Sequence, residues 1–98
     1  MTPRHDPDTR RFVLELPGGD PAVVDYAPFD DGTVAFTRVY VPPAHRGTDA
    51  SRRVVAAAFD HARNAGWRVR PVCPYLADRY VPRHPEIHDL LAETPPAG

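Results

Sequence analysis

The chain's 98 residues are enough to bury one small core and no more. Apolar residues at 42% and charged residues at 26% describe a globular chain. Its formal net charge of -1, with twelve Arg and no Lys against thirteen acids, lacks the positive excess that nucleic acid or an anionic membrane would select. A single Cys excludes an internal disulfide and a four-thiolate zinc site, and no run approaches the roughly 20 apolar residues of a membrane span.

Residues 1–11 begin Met1-Thr2-Pro3-Arg4-His5-Asp6, polar throughout, and read as a mobile arm with no secretory signal, so a reducing, cytoplasmic setting is expected. One folded domain is expected over 12–92, followed by a disordered tail over 93–98. Thirteen Pro keep the regular elements short. Phe12-Val13-Leu14-Glu15-Leu16 reads as a strand closed by Pro17, Gly18 and Gly19. Ala22-Val23-Val24-Asp25-Tyr26-Ala27 reads as a second, stopped by Pro28. After the tight turn at Asp31-Gly32, a strand over 33–41 alternates, with Val34, Phe36, Arg38 and Tyr40 on one face and Ala35, Thr37, Val39 and Val41 on the other. Short connections make these three an antiparallel meander.

Beyond Pro42-Pro43 the period changes. Val55, Ala58, Phe59 and Ala62 fall at i, i+3, i+4 and i+7, the apolar stripe of a helix that Gly66 can end in a left-handed cap. A further alternating strand is expected over 67–73, and a strand-helix-strand crossover makes its two strands parallel. Short helices are expected over 75–81 and 86–92. The fold class is therefore α/β: a mixed, mostly antiparallel sheet with one long crossover helix between two parallel strands, and short C-terminal helices.

The segment from Val39 to Ser51 carries a strand into a loop and the loop into the long helix. The first amides of a helix lack internal partners and lie at its positive end, so they suit a phosphate. Gly47 permits close approach and Arg46 adds a permanent charge. The other reading is that Thr48 or Asp49 simply caps the helix. The two compete, because a carboxylate at Asp49 repels an incoming pyrophosphate.

Taken in order, Val39-Tyr40-Val41-Pro42, Arg46-Gly47, the Ala-rich helix, Pro71-Val72-Cys73-Pro74-Tyr75, Tyr80, Arg83-His84-Pro85-Glu86 and Asp89-Leu90-Leu91 resemble the small single-domain branch of the GNAT superfamily of N-acetyltransferases. The resemblance covers about residues 12–91. It implies that the two parallel strands splay and that acetyl-CoA lies between them. Backbone groups around Val39, Tyr40 and Val41 would pair with the pantetheine arm, and the amides of Arg46, Gly47, Thr48, Asp49, Ala50 and Ser51 would hold the pyrophosphate. A free amine or peptide would accept the acetyl group. The branch has Gly where this chain has Asp49, and a small residue at Ser51.

Four residues are candidates for the chemistry. Cys73 is either a nucleophile or a small buried hydrophobe. Tyr75 and Tyr80 are candidate acids for the departing thiolate, or packing residues. His84 is a candidate base or a surface residue. Pro85 suits a first helical turn, so His84 precedes that helix and need not face His88, and no metal site is expected. Two functions stay open: an acetyltransferase acting on an unidentified amine, and a non-catalytic domain that keeps the fold and binds a partner, with an open sheet edge available for a homodimer.

Overall fold

In the computed structural model, residues 2–92 are described. They form a five-stranded sheet in the order β1 (Arg4–Asp6), β2 (Arg11–Leu14), β3 (Ala22–Pro28), β4 (Thr33–Tyr40) and β5 (Arg68–Pro71). The first four strands are antiparallel neighbours. After the helix α1 (Ala50–Ala65), β5 returns parallel to β4. The expected α/β class, mixed sheet, crossover helix and short C-terminal helices are all present. The tail expected over 93–98 lies outside the described residues.

Strand β1 departs from the mobile arm expected of residues 1–11. Arg4, His5 and Asp6 pair with Val13, Phe12 and Arg11. No apolar alternation announces this strand, because its inward residue is a histidine. The His5 ring stacks on Phe12 with centroids 4.7 Å apart, a contact between strands that local propensity does not encode.

Strand β4 departs from strict alternation. Asp25 pairs with Arg38 but Tyr26 pairs with Phe36, so Thr37 is an extra, bulged residue. The bulge reverses which face later side chains take. Val34 and Phe36 enter the core, and beyond Thr37 it is Val39 and Val41 that pack against that same core. Arg38 instead joins Asp25 at 3.1 Å, beside the Arg11–Asp25 pair, also 3.1 Å.

The core lies between the sheet and α1. Phe12, Leu14, Val24, Phe36 and Val69 meet Val54, Val55, Ala58, Phe59 and Ala62 of the helix, each 1% exposed or less. Gly66 ends the helix at φ 74, its N–H reaching the Ala62 and Arg63 carbonyls. The C-terminal segment begins with one α-type turn at Pro74 and Tyr75, where the Ala77 N–H bonds the Cys73 carbonyl at 3.0 Å, and continues as a π turn at Leu76–Tyr80 and tight turns at Val81–Arg83 and Pro85–Leu90. Pro82 and Pro85 have no N–H to donate, which breaks an α ladder here. Arg63 clamps this segment with two bonds to Asp89 (2.9 and 3.0 Å) and one to the Glu86 carbonyl (2.8 Å). Ala92 N–H then bonds the Val69 carbonyl at 2.8 Å, covering part of the outer edge of β5.

Candidate active site at a strand fork

Strands β4 and β5 pair only from Thr33 to Phe36, opposite Arg68 to Pro71. There the chain turns off. Both Val72 and Cys73 donate their N–H to the Phe36 carbonyl, at 3.1 and 3.2 Å. The next four residues of β4, Thr37 to Tyr40, keep β3 on one side and have no strand on the other. The two parallel strands therefore splay, and the freed backbone of β4 forms one wall of a cleft.

The loop from 41 to 49 forms the second wall. Pro43–His45 makes a single tight turn. The His45 ring donates through Nε2 to the Pro17 carbonyl at 2.8 Å, tying the loop to the turn between β2 and β3. Arg46 Nε donates to the Val41 carbonyl at 3.2 Å, which fixes the stem of its guanidinium along the cleft. Gly47 sits at φ +83, and a Cβ placed there would meet no atom within 4 Å, so space is open above it. Thr48, not Asp49, supplies the cap. Its hydroxyl bonds the His45 carbonyl at 2.6 Å and accepts the Ala50 N–H at 3.3 Å, whereas the Asp49 side chain makes no capping bond. Among the described residues, the Ser51 and Arg52 amides make no hydrogen bond at the helix start.

The resulting cleft has a volume of about 270 Å³ and is lined by Val39, Tyr40, Val41, Arg46, Gly47, Thr48 and Ser51, together with His45 and Tyr75. That is slightly below the roughly 300–1,000 Å³ of typical small-molecule pockets, so it suits one stretch of an elongated ligand. Tyr75 crosses it, its hydroxyl 3.3 Å from Ser51 Oγ.

Two of the residues named from sequence for phosphate binding do not line this cleft. Ala50 is 2% exposed and turns into the core. Asp49 lines a second hollow, of about 220 Å³, on another side of α1 with Arg52, Arg53 and Ala56. Tyr80 and His84 complete that second hollow, so the structure separates them from Tyr75. The Tyr80 ring lies between Phe59 (5.7 Å, 3°) and His84 (3.9 Å, 14°). Burial, and then the nearby Glu86 carboxylate, push its phenol up to about 12. His84 Nδ1 lies 2.9 Å from Glu86 Oε2, and that contact helps hold the Glu86 carboxyl below its usual range, after its own backbone bond. His88 donates to the Val81 carbonyl at 2.7 Å rather than facing His84.

Cys73 sits at the fork itself but behind it. Its side chain is 8% exposed, belongs to the apolar core and does not line the cleft. His45 also lines the cleft and ties its loop to the β2–β3 turn, a placement that the sequence marks only weakly. Its one sequence signal was its place beside Arg46. Among the described residues no cluster of three or more His, Cys, Asp or Glu comes together as a metal site, and no helix is long and apolar enough to cross a membrane. The model of a family described as GCN5-related N-acetyl-transferase matches residues 11–90.

Proposed function

The chain belongs to the GCN5-related N-acetyltransferase family, and we propose that it transfers the acetyl group of acetyl-CoA to a primary amine at the fork between β4 and β5. The observation that carries this reading is the unpaired half of β4 leading into an amide-rich loop. An extended arm laid along Thr37 to Tyr40 gains the backbone bonds that β5 does not make there. Its pyrophosphate then meets the open space at Gly47, the Ser51 amide and the guanidinium of Arg46. Acetyl-CoA supplies an activated acyl carbon whose bond to sulfur breaks as the bond to the amine nitrogen forms.

This chain's own residues have two tasks in that step. A backbone N–H of the unpaired β4 segment faces the developing oxyanion, and preorganised donors of this kind contribute more than any other single effect in acyl transfer. Tyr75 is the acid that returns a proton to the thiolate, since it alone among the candidate phenols lines the cleft. The Ser51 hydroxyl, 3.3 Å away, orients that phenol. The nitrogen loses its proton to solvent, because the cleft is open. Cys73 has no covalent role in this scheme.

A titration with acetyl-CoA followed by thermal unfolding tests the reading. At a hundred times its Kd the ligand should add about 2.7 kcal/mol of stability. Release of free CoA thiol in the presence of an amine panel should then accompany binding. No shift in Tm at millimolar acetyl-CoA would overturn the proposal. A shift without thiol release for any amine would leave the non-catalytic alternative.

A further inference from the structure

Away from the cleft, the sheet and α1 enclose a cluster of rings that acetyl transfer does not use. His5, the central residue of β1, stacks on Phe12 at 4.7 Å and places Nε2 2.6 Å from the Tyr26 hydroxyl. Its ring centroid lies 4.2 Å from that of His61 on α1, and His61 meets Trp67 edge-on at 4.9 Å. A hollow of about 280 Å³ beside this pair gives both rings access to water and protons. Strand β1 is only three residues long and is held by three residue pairs with β2, the exposed Arg4–Glu15 ion pair at 3.3 Å and these ring contacts.

We propose that His5 and His61 form a proton-operated latch, which holds β1 against α1 when both rings are neutral and releases it when the pair takes up protons. Two imidazolium rings at 4.2 Å repel each other, and among the described residues neither has a carboxylate in bonding contact to offset the charge. The charged and titratable groups around the pair are the Tyr26 hydroxyl from β3, Asp60 from α1, and Arg4 and Asp6 from β1 itself. Arg10 acts on the Tyr26 phenol. Asp6 pulls the His5 pKa upward, but burial first and His61 second outweigh it, so His5 titrates below its ordinary 6.5. The direction of the switch follows. A released strand binds protons more readily than a docked one, so docking is complete above pH 6.5 and weakens as pH falls below it. Release uncovers Phe12, which is 1% exposed, and frees an edge of β2.

Amide exchange and histidine ring titration by NMR test the latch on the intact chain. Protection factors over residues 4–6 should fall on acidification from pH 7.5 to 5.5, by up to about tenfold per pH unit for each proton taken up, while those of α1 hold. The His5 ring should titrate below 6.5, and in His61→Gln its midpoint should rise. The lone Trp67 gives an optical reading of the same event, since the His5 ring lies 6.0 Å from it and its fluorescence should change as β1 leaves. In His5→Phe, which keeps the stacking but cannot titrate, protection of 4–6 should lose its pH dependence. A His5 midpoint at or above 6.5, an unmoved midpoint in His61→Gln, or protection of 4–6 that ignores acid would each overturn the proposal. The wild-type titration decides the matter even where His5→Phe fails to dock β1.

Discussion

The two hollows flanking the start of α1 look alike in inventory and differ in placement. Each holds a tyrosine, arginine and histidine beside the first helical turns. The inner one opens on the unpaired edge of β4; the outer one is backed by Tyr80 and His84 on the C-terminal turns. Of the two, the inner hollow offers unpaired strand backbone and a glycine with open space above it, the features on which the proposed binding of an extended thioester rests. The upward shift of the Tyr80 phenol has its cause in burial between Phe59 and His84 and then in the Glu86 carboxylate, and on the function proposed above it marks packing. A strongly perturbed group is a candidate for catalysis only when the reacting atoms can reach it.

The sharpest way to break this comparison is to remove each hydroxyl in turn. Tyr75→Phe should lower kcat about 100-fold, the lower end of a general acid's contribution, with KM for acetyl-CoA little changed. Tyr80→Phe should leave kcat within a few-fold. Reversed results in a steady-state assay would move the chemistry to the outer hollow. Next, Arg46→Ala should weaken acetyl-CoA roughly tenfold, with a shallower salt dependence in calorimetry, because one charge-assisted contact to phosphate is lost. Cys73→Ala should keep turnover while costing about 1 kcal/mol of stability by denaturant melt, as expected of a small side chain lost from a core. Loss of turnover with an intact fold would restore the covalent route. The smallest effect is expected at Asp49. Since Thr48 carries the cap, Asp49→Asn should leave α1 intact and tighten acetyl-CoA about two- to fivefold, the value of one charge near a helix start. Unchanged affinity would mean the carboxylate lies too far from the pyrophosphate to matter.

What the sequence made legible follows the range of the forces involved. The strands with apolar alternation and the amphipathic helix were readable because their patterns are local, and so was the Gly66 cap. Strand β1 was not, since Pro3-Arg4-His5-Asp6-Pro7 has no apolar residue and gains its place from a ring stack on another strand. Tyr75 and Tyr80 could not be told apart, because the four residues between them run through a π turn whose geometry the 3.6-residue period does not describe. Asp49 was readable as a charge near the loop. Which side of the helix it lines depended on how Thr48 closes the preceding turn.

Thr37 carries one last consequence. Any substitution there keeps the chain in phase, but excising the residue would let the pleat run on unbroken from Phe36. Arg38 would then follow Phe36 directly and still oppose Asp25, and Val39 and Val41 would still turn in beneath α1, because the residue removed is the one that β3 does not match. Thr37 is thus the residue of β4 whose loss changes bend and twist rather than membership of the core, and a one-residue deletion there should be far less damaging than the same deletion between Val34 and Phe36, which would displace core side chains.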